Sequence, residues 1–196
     1  MNNNIQVCGD HKVSIFRKFQ NDNLKSILSI YENINSVLNI GALPNDGDKE
    51  GNYYKNYFSR CDYYTLDKNK NQDVPKHYNF DLHDLSKINK KFDLVLLMSV
   101  LEHLENPFIC SKEIYNIIST NGYLYIAAPF FYPIHKEKAY SDYWRFTDEG
   151  IRTLFKDLTE IWIRKMDSVI LSVEDRNRYW DTDSTPAGYC ALFRKE

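Results

Sequence analysis

Three carboxylates and two imidazoles stand where short apolar runs of this chain give out. Asp67 closes the run Asp62–Asp67, and Asp81 sits at the end of His77–Leu82. The run Phe92–Met98 ends in Ser99 and then in the pair Glu102–His103, while His135 follows the run Tyr123–Ala128. A carboxylate at the exit of one strand can accept hydrogen bonds from both hydroxyls of a ribose. A second, at the exit of the next strand, is placed to meet an adenine amino group, and Leu82 is placed to cover the ring. Before both comes a loop, Gly41-Ala42-Leu43-Pro44-Asn45-Asp46-Gly47, whose glycines permit a tight turn and close backbone approach to a ligand. Each aspartate also has a plain reading. Asp67 with Lys68, Asn69 and Lys70 is a possible surface turn, and Asp81 a possible cap for a turn at Asp84–Ser86.

The loop excludes some ligands. It lacks the G-x-G-x-x-G spacing that brings backbone amides to a pyrophosphate, and no Gly-Lys-Ser/Thr exists for a phosphate cradle. A nucleoside without phosphates suits it better.

These groups need elements to hold them. Leu24, Ile27, Leu28 and Tyr31 share a face and predict a helix over 23–33, ahead of a first strand at Ser36–Gly41. Asp62–Asp67, His77–Leu82, Phe92–Ser99 and Tyr123–Ala128 are predicted to be strands two to five, with a helix at Pro107–Ser119 and a turn at Asn121–Gly122. Thr147 reads as the N-cap of a helix over 148–157, with Asp148 and Glu149 in its first turn. Ile161–Val169 and Gly188–Arg194 supply two last strands, and 50–90 shows little helix. Strand–helix alternation of this kind predicts an α/β fold, a doubly wound and mostly parallel sheet whose carboxyl edge binds the ligand.

The composition is that of an ordinary globular domain: 196 residues, 43% hydrophobic, 27% charged. A net charge of -2 exerts no general pull on nucleic acid or anionic membrane. No apolar run would span a bilayer, and the first residues lack a signal peptide's basic start, so a cytoplasmic location is expected. Cys8, Cys61, Cys110 and Cys190 are scattered with no histidine at a metal-ligand spacing; free thiols and no metal centre are expected.

From Ser36 to Phe155 the motifs resemble those of class I S-adenosylmethionine-dependent methyltransferases. VLNIGALPNDG stands at the family's glycine-rich first motif, YYTLD at its second and NFDLHDLS at its third. FDLVLLMSVLEHLENP and NGYLYIAAPFF resemble the fourth motif and the fifth-strand region, and these are the specific segments. The resemblance implies a Rossmann-like, seven-stranded sheet with helices on both faces and the last strand antiparallel. It also implies one methyltransferase domain over 1–196: a helical lead-in (1–35), a cofactor half (36–130) and an acceptor half (131–196). S-adenosylmethionine would be the cofactor and S-adenosylhomocysteine the product. The cofactor-binding residues would be Gly41, Ala42, Gly47, Asp67, Lys68, Asp81, Leu82, Ser99 and Val100. Of these, Gly41 would lie against the methionine part, and Ser99 and Val100 would line the sulfonium end. The chain departs from the family at Asn39, where an acidic residue is usual, and at Ala42–Pro44, where more glycine is usual.

A narrower resemblance covers Pro129–Phe155, PFFYPIHKEKAYSDYWRFTDEGIRTLF. It is similar to a subgroup with a Pro-x-His…Asp-Tyr-Trp-Arg-Phe-Thr signature, often associated with surface-glycan biosynthesis. Methyl transfer to a hydroxyl benefits from a general base near neutrality, which histidine supplies. His135, with Asp142 as partner, is the candidate base or acceptor-orienting group, and His103 a further candidate. The plain readings are a solvated loop for His135 and packing against the cofactor loop for His103, with Glu102 anchoring that turn by hydrogen bonds. Tyr143, Trp144 and Arg145 offer flat apolar surface and a planar cation for a sugar bearing an anionic group. Alternatively, Trp144 is core and Arg145 pairs with Glu149. Glu174–Asp183 reads as a loop over the active-site edge or a partner surface.

The expected function is therefore methyl transfer to a small-molecule acceptor, a hydroxyl of a sugar, nucleotide-sugar or glycan precursor. The second reading is a catalytically weak or inactive cofactor-binding protein of the same fold. A nicotinamide enzyme and a nucleic-acid methylase are disfavoured, the first by the missing fingerprint, the second by balanced charge.

Overall fold

The computed structural model describes residues 14–30, 33–42, 46–69, 74–138, 140–166 and 185–196. Cys8, positions 43–45 of the glycine loop and the Glu174–Asp183 segment lie outside the described residues.

Seven strands form one sheet: β1 (Ser36–Ile40), β2 (Asp62–Leu66), β3 (His77–Tyr78), β4 (Phe92–Met98), β5 (Ile118–Pro129), β6 (Thr159–Met166) and β7 (Gly188–Arg194). Their spatial order is β3-β2-β1-β4-β5-β7-β6. β1 runs parallel to β2 and β4, β4 parallel to β5, and β7 antiparallel to both β5 and β6. The fold is the expected Rossmann-like α/β sheet.

The central strands read as continuous apolar runs because both their faces are covered. Leu38, Val95, Leu97, Leu124 and Ile126 point to one face, where they meet α3 (Pro107–Ile117) through Cys110, Ile114 and Ile117. Val37, Leu94, Leu96, Tyr125 and Ala127 point to the other, where they meet Phe16, Leu24 and Ile27 of α1 (Ile15–Ile30) and Tyr54 of the short α2 (Tyr54–Tyr57). Truncating one such fully buried leucine costs about 2–5 kcal/mol.

Several boundaries differ from the sequence reading. α1 begins eight residues earlier than expected, at a Ser14 whose hydroxyl accepts the Arg17 amide at 3.1 Å. Its periodicity is hidden because Gln20 and Asn21 are polar yet wholly buried. β3 stops at Tyr78, after which the Asn79 side chain donates to the backbone oxygens of Asp67 and Lys68. α3 ends at Ile117, and Asn121–Gly122 forms no separate turn. Asn121 sits at φ +63° inside β5, where the register with β4 slips between Phe92 and Leu94. α4 is Asp148–Leu154, shorter than expected but capped by Thr147, whose hydroxyl accepts the Gly150 amide. β6 starts at Thr159, and positions 167–169 of its expected span lie outside the described residues. Among the described residues, no helix is long and apolar enough to cross a membrane.

From β1 the chain builds outward to β2 and β3, then returns to place β4 on β1's other side. The strand order therefore reverses between β1 and β4, and the crevice beyond their carboxyl ends is where such sheets bind ligands.

Candidate active site

Both strands at the reversal end in left-handed backbone. Gly41 follows β1 at φ +71°, and a Cβ built there would lie 2.5 Å from Val100 Cγ2. Its amide donates to the Leu66 carbonyl at 2.7 Å, which holds the exit of β1 to the end of β2. Ser99 follows β4 at φ +54°, with its amide on the Ala127 carbonyl at 2.7 Å and its hydroxyl 3.3 Å from Gln20 Oε1. A non-glycine residue held there stores backbone strain, and strain of this kind clusters at ligand sites.

Between these two exits opens a cavity of about 1070 Å³. Gly41, Ala42 and Gly47 line it from the first loop, and Asp67 and Lys68 from the end of β2. Asp81 and Leu82 come from the start of the 3₁₀ turn that follows β3, Ser99 and Val100 from the end of β4. Every residue expected to bind cofactor thus faces one space. Asp67 Oδ1 accepts the amide and the side chain of Asn69 at 2.7 and 2.8 Å, so its turn-forming role coexists with its place on the wall. Asp81 caps the 3₁₀ turn Leu82–Lys87, which contains the expected turn at Asp84–Ser86, accepting the His83 amide at 3.0 Å and facing His83 Nδ1 at 2.6 Å. Burial opposes the charge on Asp81, but the two His83 contacts prevail and hold its carboxyl below the usual range.

The departure at Asn39 has a structural counterpart. Its side-chain amide donates to Asp46 Oδ1 and to the Tyr63 hydroxyl oxygen, both at 3.0 Å, and Tyr63 donates to the same Asp46 oxygen at 2.9 Å. The Lys55 amide takes Asp46 Oδ2 at 3.0 Å. The acidic group near β1 is therefore supplied seven residues later, by Asp46, and the amide at 39 holds it. Burial still pushes the Asp46 carboxyl above its ordinary pKa despite these donors.

The opposite wall belongs to the loop after β5. Asp142, its side chain 1% exposed, accepts the His135 amide at 2.8 Å and receives both arms of the Arg145 guanidinium, Nη2 at 2.8 Å. The guanidinium keeps the Asp142 carboxyl far below the usual range. Arg145 pairs with Asp142 rather than Glu149, which pairs with Arg152. Both terminal nitrogens of Arg145 reach Asp142 and also donate to the Trp144 and Tyr132 carbonyls, so it fastens the loop. Trp144 donates its indole N–H to the Leu104 carbonyl at 2.7 Å and stacks on Phe146. Asp142, Trp144 and Arg145 border a second hollow of about 530 Å³, and Tyr143 borders both spaces. His103 and His135 line the main cavity with perpendicular rings 4.9 Å apart.

Glu102 anchors its turn differently from the expectation. Its backbone carbonyl accepts the Tyr143 and Trp144 amides at 2.7 and 3.3 Å, while neither carboxylate oxygen has a hydrogen-bond partner among the described residues. The side chain is 2% exposed, and burial pushes its pKa up to about 8. His103 Nε2 lies 3.7 Å and His135 Nε2 3.9 Å from Glu102 Oε1. Among the described residues these three are a group able to hold a metal ion, with ligand atoms within 4.8 Å of one another. Residues separated by 32 positions leave no local spacing to reveal such a group. Arg17, Lys49 and Tyr54 also line the cavity and were not anticipated, since Arg17 lies in the part of α1 that buried polar residues conceal.

A family described as "Methyltransferase domain" matches residues 56–126, a little over a third of the chain. No curated protein matches. Solved structures do. TehB from Haemophilus influenzae is 16% identical with a TM-score of 0.60, over 90% of this chain and 62% of that one, so this chain spans under two thirds of its length. The N-methyltransferase NodS from Bradyrhizobium japonicum WM9, in complex with S-adenosyl-L-homocysteine, is 15% identical with a TM-score of 0.62, over 96% and 93% of the two chains. An S-adenosylmethionine-dependent methyltransferase from Clostridium acetobutylicum ATCC 824 is 12% identical with a TM-score of 0.65, over 94% and 93%. The chain therefore has the Rossmann-like fold of S-adenosylmethionine-dependent methyltransferases and carries the methyltransferase-domain sequence over residues 56–126.

Proposed function

We propose that this protein is a cytoplasmic S-adenosylmethionine-dependent methyltransferase whose acceptor is a hydroxyl of a sugar, nucleotide-sugar or surface-glycan precursor. One observation carries the reading. The bare backbone of Gly41, the carboxylates of Asp67 and Asp81, and the imidazoles of His103 and His135 all line one cavity at the point where strand order reverses.

The residues present fit that cofactor. Gly41 offers backbone with no side chain in front of it, for the amino-acid end. Asp67 is a hydrogen-bond acceptor for ribose hydroxyls and Asp81 for an adenine amine, with Leu82 beside it as an apolar cover. When bound, S-adenosylmethionine supplies a methyl group on a good leaving group, so the protein's task is largely to hold an acceptor in line and away from water. Ser99 and Val100, at the end of β4, would border the reacting end. His135 orients the acceptor or takes its proton, with its backbone fixed by Asp142. Tyr132 and Tyr143 supply flat rims suited to a sugar ring. The glycan assignment is supported by the signature over Pro129–Phe155, and oxygen rather than nitrogen as the methylated atom by the histidines at the acceptor wall.

Calorimetric titration with S-adenosylmethionine and S-adenosylhomocysteine, with NADH as control, tests the cofactor. Transfer of labelled methyl to a panel of nucleotide-sugars and amines then tests the acceptor. Binding of NADH without either sulfur nucleoside would overturn the reading. Transfer to amines alone would move the methylated atom to nitrogen, and binding without transfer to any acceptor would favour the inactive cofactor-binding reading.

A further inference from the structure

Glu102 is a buried carboxyl group whose two oxygens accept no hydrogen bond from the described residues. Such a group is costly unless a charge or donor meets it. What faces it are two imidazoles, and their tautomers are set from behind. The Ser141 carbonyl lies 2.6 Å from His103 Nδ1, and the Pro133 carbonyl 3.1 Å from His135 Nδ1. A carbonyl only accepts, so in each neutral ring the proton sits on Nδ1 and the lone pair of Nε2 is left toward Glu102. With Glu102 ionised, three lone-pair donors thus converge on one point. Their separations, 3.7 and 3.9 Å, are also longer than a hydrogen bond.

We propose that Glu102, His103 and His135 hold a divalent first-row transition ion of the zinc or manganese class. Two imidazoles and one carboxylate are a familiar donor set for such ions, and three protein ligands leave coordination positions open. Imidazole nitrogens argue against magnesium and calcium, which take oxygen. The outer contacts are those a metal site needs. Carbonyls fix both rings, and Asp142 Oδ2 takes the His135 amide and lies 3.3 Å from its Nδ1. Asp142 is balanced by Arg145, so its charge does not compete for the ion. Both histidines line the main cavity, which gives the open positions a route to a ligand. The ion's role there rests on the methyl-transfer reading: an acceptor oxygen bound to it would be oriented and made more acidic, with His135 acting through the ion and not as the base. Binding of the ion does not rest on that reading.

The test is calorimetric titration of the chelator-treated, full-length protein with Zn²⁺, in the absence of S-adenosylmethionine and acceptor. One Zn²⁺ per chain is expected, with affinity reduced at least tenfold by Glu102→Gln and by His135→Ala. His135→Ala changes a partly exposed loop residue, so it remains informative if Glu102→Gln fails to fold. Absence of binding at millimolar Zn²⁺, or the same affinity in the parent and a folded variant, would overturn the proposal. Because no sulfur nucleoside is present, failure here leaves the cofactor reading standing, and failure to bind S-adenosylhomocysteine leaves the metal site standing.

Discussion

Gly41 shows how little space separates the first loop from the end of β4. Alanine there must adopt φ +71° and push a methyl group into Val100. Gly41→Ala should cost about 1–3 kcal/mol in urea unfolding and weaken S-adenosylhomocysteine binding. Unchanged stability would mean the loop relaxes freely. Asp67→Ala should leave the urea midpoint nearly unchanged and reduce that affinity at least tenfold, about 1.4 kcal/mol or more; equal affinity would remove Asp67 from the ribose role. Asn39 gives a pH signature. Asn39→Asp would set a second carboxylate against Asp46, whose pKa burial already raises. One of the two must then keep a proton that the unfolded chain, titrating near about pH 4, gives up. A folded state that holds the extra proton loses stability as pH rises. The variant's deficit in melting temperature should thus be larger at pH 8 than at pH 5, and equal deficits would refute the account.

At the scale of elements, α1 is held to the sheet by polar as well as apolar contacts. The Tyr125 hydroxyl, wholly buried, donates to the Gln20 carbonyl at 2.7 Å, and Gln20 Nε2 reaches the Tyr54 hydroxyl at 3.0 Å. Tyr125→Phe should cost about 1–2 kcal/mol and speed amide exchange in α1 more than in β4. Uniform acceleration would show that the bond does not anchor this helix in particular. These contacts also explain what could be read from the chain. Strands covered on both faces, such as β1 and β4, announce themselves as apolar runs, and Thr147 announces α4 by its capping chemistry. The first half of α1 does not, because Gln20 and Asn21 break the apolar pattern while facing inward. The residues expected to bind cofactor were legible because each group follows the end of a strand. The meeting of Glu102, His103 and His135 was not, because the chain must leave β5, loop outward and return before His135 reaches Glu102. Nor does the chain reveal that Asp142, three residues before Arg145, is its ion-pair partner instead of Glu149, four residues after, since both are within reach of a guanidinium.

Across the whole molecule, protection should follow position in the sheet. β1, β4 and β5 lie between neighbours on both sides, whereas β3 and β6 are edges. Hydrogen exchange should be slowest in the first three and fastest in the last two, and early loss of β4 would contradict a single central core. The loop from Phe130 to Phe146 stands apart from this hierarchy in how it is fastened. Its N–H groups reach the Glu102 and Leu104 carbonyls, the His103 ring meets the Ser141 carbonyl in return, and its internal clasp is Asp142 with Arg145. Main-chain carbonyls are present whatever the side chains. A different loop that kept the clasp and one indole could therefore dock on the same two oxygens, and descendants of this fold can change what they recognise while inheriting the sheet intact.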